Sequence, residues 1–342
     1  MLTIGIERES MNDETNSVGI IANPQSGKDI RRISAFGFLS NNYEKVNIIQ
    51  RVLLGLDSTG VRRVFYMPEP FGIVQKAAAS LNLSLRAIPL EMHLEFGSSD
   101  STIAARLMEE SGVRCIVTLG GDGTNRAVVK GLAKTPLLPI SAGTNNVFAL
   151  YIDGTIAGVA AGMFARMDTE GPSTVCRKKR ISIRKSGLEV DLALIDAAVC
   201  RDSFVGSKAI VDISRVQELV IGEVKTEVIG LASIASFLGD VRLGAKEGLH
   251  VVLSNNGQPI TTVKAPIAPG LIVTIPIAGW RKIGVGESVD VKPGDSVIAL
   301  DGEREIEVAR DSGYSIGLSP EGPCVIDVAE TLQRAKIRGL FH

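Results

Sequence analysis

Two periodicities divide this chain. From about residue 17 to 150, short β-branched runs alternate with segments of helical period. The runs are Val18 to Ala22, Arg63 to Met67, Leu85 to Leu90, Cys115 to Leu119 and Leu137 to Ile140. Between them, Thr102 to Ser111 groups Ile103, Leu107 and Met108 on one helical face, with Asp100 or Ser101 placed to cap its start. Thr124 to Ala133 does the same with Val128, Val129 and Leu132. Strand–helix–strand repetition predicts a parallel sheet covered by helices. Ser34 to Tyr43 breaks the pattern and reads as a loop.

Beyond about residue 165 strand alternation takes over. Ile181 and Ile183, then Val190, Leu192 and Leu194, are followed by Val251 to Leu253, Leu271 to Ile277, Val297 to Leu300, and Ile306 with Val308. Gly, Pro, Asn and Asp separate these runs, which predicts a β-rich, sandwich-like second unit. One helix is expected at Val211 to Val224, and another at Val328 to Arg338, where Ala329, Leu332 and Ala335 lie on a mixed face. The expected organisation is therefore an α/β domain over 1–165, a β-rich domain over 166–325, and a C-terminal helix over 326–342 that returns to the first domain.

Composition narrows the function classes. Lys plus Arg is 37 and Asp plus Glu is 38, a net charge of −1, without the basic excess of a nucleic-acid binder. The four cysteines, Cys115, Cys176, Cys200 and Cys324, lie among apolar residues without C-x-x-C spacing and are expected as buried thiols. No His/Cys/Asp cluster has zinc spacing. The first seventeen residues carry acidic groups and no apolar core, unlike a secretory signal. No apolar run reaches the ~18 residues of a membrane span. A cytoplasmic protein is expected.

The chemistry concentrates at strand ends. Cys115 to Leu119 runs into Gly120-Gly121-Asp122-Gly123-Thr124-Asn125, and a helix follows at once. Glycines there allow positive φ and let a ligand reach bare backbone, while successive N–H groups and a helix N-terminus suit a phosphate. Asp122 beside phosphates needs either a divalent metal between them or a role as proton acceptor. The dinucleotide fingerprint G-x-G-x-x-G fails because Arg126 stands where its last glycine is required. The P-loop pattern fails because Asp29 follows Gly27-Lys28.

Further polar loops end neighbouring strands. Asn23-Pro24-Gln25-Ser26-Gly27-Lys28 follows the first, offering amide, hydroxyl and cationic groups to a nucleotide. Ser141-Ala142-Gly143-Thr144-Asn145-Asn146 follows another. Asp301-Gly302-Glu303 ends a strand of the second unit; alone it reads as a hairpin turn, and together with the other loops as a second acidic arm. The basic run Arg177 to Arg180, with Arg184 and Lys185, reads as a solvated sheet edge, or as an attractor of anionic substrate or lipid head group. Trp280 reads as a surface-packed aromatic, and His93 and His250 carry no assigned role.

The set NPQSGK, GGDGTN, PISAGTNN and DGE resembles the superfamily of NAD kinases and diacylglycerol or sphingosine kinases. It is closest to the ATP-NAD kinase-like branch that includes acetoin catabolism protein X. The motifs span Asn23 to Glu303, in family order. The resemblance implies an α/β nucleotide domain, a β-sandwich domain and a cleft between them, with ATP and Mg²⁺. It implies nucleotide contacts at Asn23, Pro24, Ser26, Gly27, Lys28, Gly120, Gly121, Gly123, Thr124, Asn125, Gly143, Thr144, Asn145 and Asn146. Asp122, Asp301 and Glu303 are implied as catalytic and metal-binding carboxylates, and a homo-oligomer, dimer or tetramer, is implied as well. Gly143 to Ala149 follows the lipid-kinase pattern G-T-x-N-x-F-A more closely than the NAD-kinase one. Three functions follow as expectations: a kinase acting on NAD or a related soluble metabolite, a lipid kinase, and a nucleotide-binding regulator without turnover.

Overall fold

The computed structural model describes residues 16–26, 41–143, 146–167, 174–201, 212–254, 257–308 and 313–341. Gly27, Lys28, Thr144, Asn145 and most of the loop expected at Ser34 to Tyr43 lie outside these residues. Its last two residues, Asn42 and Tyr43, already belong to a helix.

The first layer is built from β1 (Ser17–Ala22), α1 (Asn42–Ser58), β2 (Arg63–Tyr66), α2 (Ile73–Ala79), β3 (Arg86–Pro89), α3 (Ser98–Glu110), β4 (Cys115–Gly120), α4 (Asp122–Lys130), β5 (Leu137–Ser141) and α5 (Gly154–Arg166). The five strands are parallel in the order β3-β2-β1-β4-β5. Every residue of β1 and of β4 is buried, as a sheet covered on both faces requires. Val18, Ile20 and Ala22 pack with α1, α2 and α5, whereas Ile21 and Ile116 pack with α3 and α4. On the working face of α3 the buried residues are Ala104, Ala105 and Met108, and Ile103 and Leu107 are only partly covered.

The remaining strands are β6 (Val175–Arg177), β7 (Arg180–Lys185), β8 (Leu188–Ala193), β9 (Asp196–Cys200), β10 (Val216–Ile221), β11 (Glu247–Leu253), β12 (Thr261–Ala268), β13 (Leu271–Gly284), β14 (Ser288–Asp290), β15 (Ser296–Leu300), β16 (Glu303–Val308), β17 (Tyr314–Ser319) and β18 (Cys324–Ile326). A short α6 (Ser233–Ser236) and the terminal α7 (Val328–Ile337) complete the described elements. β18 extends the first sheet parallel to β5, and β6 adds antiparallel to β18. The chain thus crosses between the layers once at each end of the β-rich part. α7 packs on α5 through Met163, Met167 and Ala335.

Two antiparallel sheets, β12-β13-β11-β10-β9-β15-β16 and β14-β17-β7-β8, form the second unit. Ile181, Ile183, Val199, Val220, Ile298 and Leu318 fill the space between them. The opposite face of the larger sheet, with Ala198, Leu219, Ile221 and Val251, joins one core with α3, α4 and Phe148 of the first layer. The fold is the expected α/β parallel sheet followed by an antiparallel sandwich.

One expected helix is a strand. Val211 to Val224 gives a 3₁₀ turn at Ile213–Arg215 and then β10, central in its sheet. Leu219 and Ile221 face one core and Val220 the other. A strand apolar on both faces has no period of two, so its pattern imitates a buried helix. The cysteines also differ: Cys115 and Cys200 are buried, but Cys176 is exposed and Cys324 is half-buried, because β6 and β18 form the edge of the first sheet.

Candidate active site

The strand-end loops meet where open α/β sheets hold ligands, beyond the carboxyl ends of the parallel strands. Asn23 N–H donates to Leu119 O at 3.0 Å and Ala142 N–H to Gly120 O at 3.1 Å, so the loops after β1, β4 and β5 leave the sheet side by side. Asn23 Nδ2 then donates to Thr124 Oγ1 at 2.9 Å, tying the first loop to the glycine turn. Ser26 Oγ donates back to Asn23 O, and Pro24 lies between them in the same turn.

The glycine turn is not left-handed. Gly120, Gly121 and Gly123 are absent from the positive-φ residues, and Gly121, the N-cap of α4, has φ −97°. Gly120 is the most confined of them, since a Cβ there would stand 2.6 Å from Thr124 Cβ. A Cβ on Gly121 would stand 2.9 Å from Asn146 Oδ1, and one on Gly123 would stand 3.4 Å from Glu303 Oε1. The expectation of positive φ is thus corrected: the turn is built from ordinary backbone, with Thr124, Asn146 and Glu303 packed beside its glycines. The first intrahelical bond of α4 runs from Asn125 N–H to Gly121 O, leaving the amides of Asp122, Gly123 and Thr124 ahead of it.

Asn125 is fully buried and turned away from the loop surface. Its Nδ2 donates to Gly121 O and its Oδ1 accepts from Thr118 at 2.6 Å, so it braces the turn rather than facing a nucleotide. Asn146 Nδ2 donates to Ser141 Oγ at 2.7 Å. Gly143 O accepts from Ser141 and from the Tyr151 hydroxyl.

Asp122 is buried, and its carboxylate accepts the N–H groups of Val147 at 2.8 Å, Phe148 at 3.0 Å and Ala149 at 3.2 Å. Burial raises its pKa against the pull of those amides and of Lys225. Lys225, on the loop after β10, donates to Val147 O at 2.8 Å. The second unit therefore grips the same loop that Asp122 holds from below.

Asp301 and Gly302 form the β15–β16 hairpin turn, with φ of 52° and 79°. Asp301 accepts from Leu194 N–H at 3.0 Å and Ile195 N–H at 2.8 Å. Arg126, nearly buried on α4, stands 3.6 Å from Asp301 and 4.0 Å from Glu303. Burial pushes Asp301 up to about 8, opposed by the Arg126 guanidinium and reinforced by Asp196. Glu303 alone of the three carboxylates stays substantially open, its side chain 34% exposed over Gly123.

The donors do not fit the implied Mg²⁺ cage. Among the described residues no three His, Cys, Asp or Glu side chains are arranged to hold a metal ion. Asp122 and Asp301 have given their oxygens to main-chain N–H groups, so two of the expected trio brace loops by hydrogen bonds, and Glu303 alone is left open.

Sequence reasoning missed three cations. Lys45, Arg126 and Lys225 lie outside the recognised motifs, and only the burial imposed by folding reveals their parts. The basic run is also consumed internally: Arg177 bonds Gly322 O, Lys178 pairs with Glu223, Lys179 bonds the carbonyls of Gly244 and Glu247, and Arg180 pairs with Glu189. Likewise His250 has a partner, Glu218, at 2.8 Å.

Residues 18–164 match the ATP-NAD kinase N-terminal domain, and residues 179–321 match the acetoin catabolism protein X C-terminal domain. Acetoin catabolism protein X of Cupriavidus necator is 35% identical over 329 residues, covering 93% of this chain and 92% of that protein. The chain belongs to the acetoin catabolism protein X family. A solved structure, yeast NADH kinase complexed with NADH, superposes with TM-score 0.47 at 12% identity, covering 93% of this chain and 86% of that one. In this family member the two matched domains meet at β6 and β7, where the chain crosses from the parallel sheet to the sandwich. Among the described residues no helix is long and apolar enough to cross a membrane.

Proposed function

We propose that this chain is an ATP-dependent kinase that transfers a phosphoryl group to a hydroxyl of NAD or a related soluble metabolite. The kinase-type N-terminal domain supports the reaction class. The observation that carries the reading is the convergence on α4: Asn23 bonded to Thr124, Asp122 bonded to residues 147–149, and Glu303 over Gly123. The family name links its members to acetoin catabolism, which favours a soluble metabolic acceptor.

In this reading the triphosphate lies against the amides of Asp122, Gly123 and Thr124 at the helix N-terminus, flanked by Asn23, Pro24 and Ser26. Gly143 and Asn146 line the other side, and the contacts expected at Gly27, Lys28, Thr144 and Asn145 rest on the family resemblance alone. The acceptor oxygen bonds to the γ-phosphorus as the bridging β–γ bond breaks, and ADP leaves. The acceptor proton passes to Glu303, the one carboxylate of the three not committed to main-chain N–H groups. Positioning and charge neutralisation dominate such a transfer. Asp122 acts by holding the loop that faces the acceptor.

The test is ADP release from ATP with NAD, NADH, diacylglycerol and sugar-like acceptors. Glu303→Gln should lose on the order of 10²-fold in rate while keeping its melting temperature. An unchanged rate in that variant removes Glu303 as the base. The two carboxylates already engaged by amides favour a second reading, a nucleotide-binding regulator. It predicts ATP binding by calorimetry and no ADP with any acceptor.

A further inference from the structure

Lys45 sits in the first turn of α1, where a cation opposes the helix dipole, and it is fully buried. An ammonium taken out of water there needs oxygen partners. Lys45 Nζ donates to Asn23 O at 3.0 Å, Pro24 O at 3.0 Å, Ser26 O at 2.7 Å and Asn42 Oδ1 at 3.1 Å. Three of these acceptors are carbonyls of one loop, the loop that ends β1. Converging carbonyl dipoles repel one another unless a positive charge stands between them. The loop conformation therefore depends on the Lys45 charge, and the helix dipole gives no reason for a cation at this place.

The same loop reaches the glycine turn. Asn23 Oδ1 accepts Gln25 N–H at 2.8 Å, which fixes the side chain, and Asn23 Nδ2 donates to Thr124 Oγ1 at 2.9 Å. Thr124 is on the first turn of α4, and its Cβ lies where a Cβ on Gly120 would clash, at 2.6 Å. A continuous path of contacts thus runs from the ammonium through Asn23 to the start of α4.

We infer that Lys45 is the positioning residue of this site: its buried ammonium sets the loop 23–26, through Asn23 the start of α4, and so the affinity for a nucleoside triphosphate. It does so without touching the ligand. The inference rests on the proposed nucleotide site for its functional consequence, and on the hydrogen bonds alone for its hold on the loops.

Two measurements on the full-length protein test it. Lys45→Met keeps an apolar stem and removes the charge; Lys45→Arg keeps the charge. In nucleotide-free protein, amide exchange followed by mass spectrometry should accelerate in residues 23–26 and 120–125 of Lys45→Met, with β2, β3 and α3 unchanged. The KM for ATP should rise about tenfold or more, kcat at saturation should change less than KM, and Lys45→Arg should recover part of the loss. ATP affinity within about twofold of wild type in folded Lys45→Met overturns the inference. Faster exchange spread evenly over the first sheet overturns it too, since that reports general destabilisation. If the wild-type protein binds no ATP, the proposed function fails, and the exchange comparison still decides whether Lys45 holds the loops.

Discussion

Asp301 shows how one residue can join two roles at a hairpin. Its left-handed φ of 52° suits the tight turn, and its carboxylate is drawn inward onto the Leu194 and Ile195 amides beside Arg126. The sequence made the turn legible, since Asp-Gly is a strong hairpin signal. It gave no sign that the carboxylate would be buried. Burial pushes its pKa from the ordinary carboxylate range up to about 8, so the folded protein holds a proton that the unfolded chain has released. Stability from this group is full below the unfolded pKa and is lost as pH rises through about 8. Urea midpoints should fall between pH 5 and pH 8, and Asp301→Asn, which tolerates the same backbone, should flatten that slope. A variant as steep as wild type assigns the slope to other groups. Asp122, raised in the same direction by burial, contributes with the same sign.

At the scale of elements, helix α5 packs backbone to backbone on α1. Gly154, Gly158 and Gly162 recur every four residues along α5 and bring its backbone against α1, where Gly55 answers them. A Cβ on Gly154 would meet Ile48 O at 2.6 Å, and one on Gly55 would meet Thr155 O at 2.6 Å. A Cβ on Gly158 would collide with Val52 O, a backbone atom with no rotamer to change. Gly158→Ala should therefore cost about 2 kcal/mol despite the better helix propensity of alanine. The thermal midpoint should drop by roughly 3 °C. A stabilised Gly158→Ala would mean that the two helices separate easily. The sequence shows the four-residue spacing, but not that a second helix lies against it. The same limit explains β10: its residues face two cores, and only the presence of sheets on both sides makes the run a strand.

Across the whole molecule, the parallel sheet and the sandwich share one apolar core. Met108, Val128 and Phe148 from the first layer join Ala198, Leu219 and Val251 from the second. Lys130 pairs with Asp191 at 2.6 Å, and Lys225 bonds Val147 O, across the same junction. Separating the units would expose that core, so the chain should unfold in one cooperative step. Trp280, the single tryptophan, reports on β13 of the sandwich, while far-UV ellipticity reports mainly on helices packed on the first sheet. Their thermal midpoints should coincide, and two separated transitions would show that the units are independently stable.

The alternation that builds the parallel sheet, the β-rich remainder and the order of the kinase-like motifs can all be read along the chain. These are local periods and short spacings, written in consecutive residues. Folding is what brings Asn23 to Thr124, gives the oxygens of Asp122 and Asp301 to main-chain amides, and sets Lys45, Arg126 and Lys225 around them. Those pairings join residues up to about a hundred positions apart or more, and burial sets their electrostatics. No local pattern encodes a desolvated charge, because desolvation exists only once the layers have closed over it.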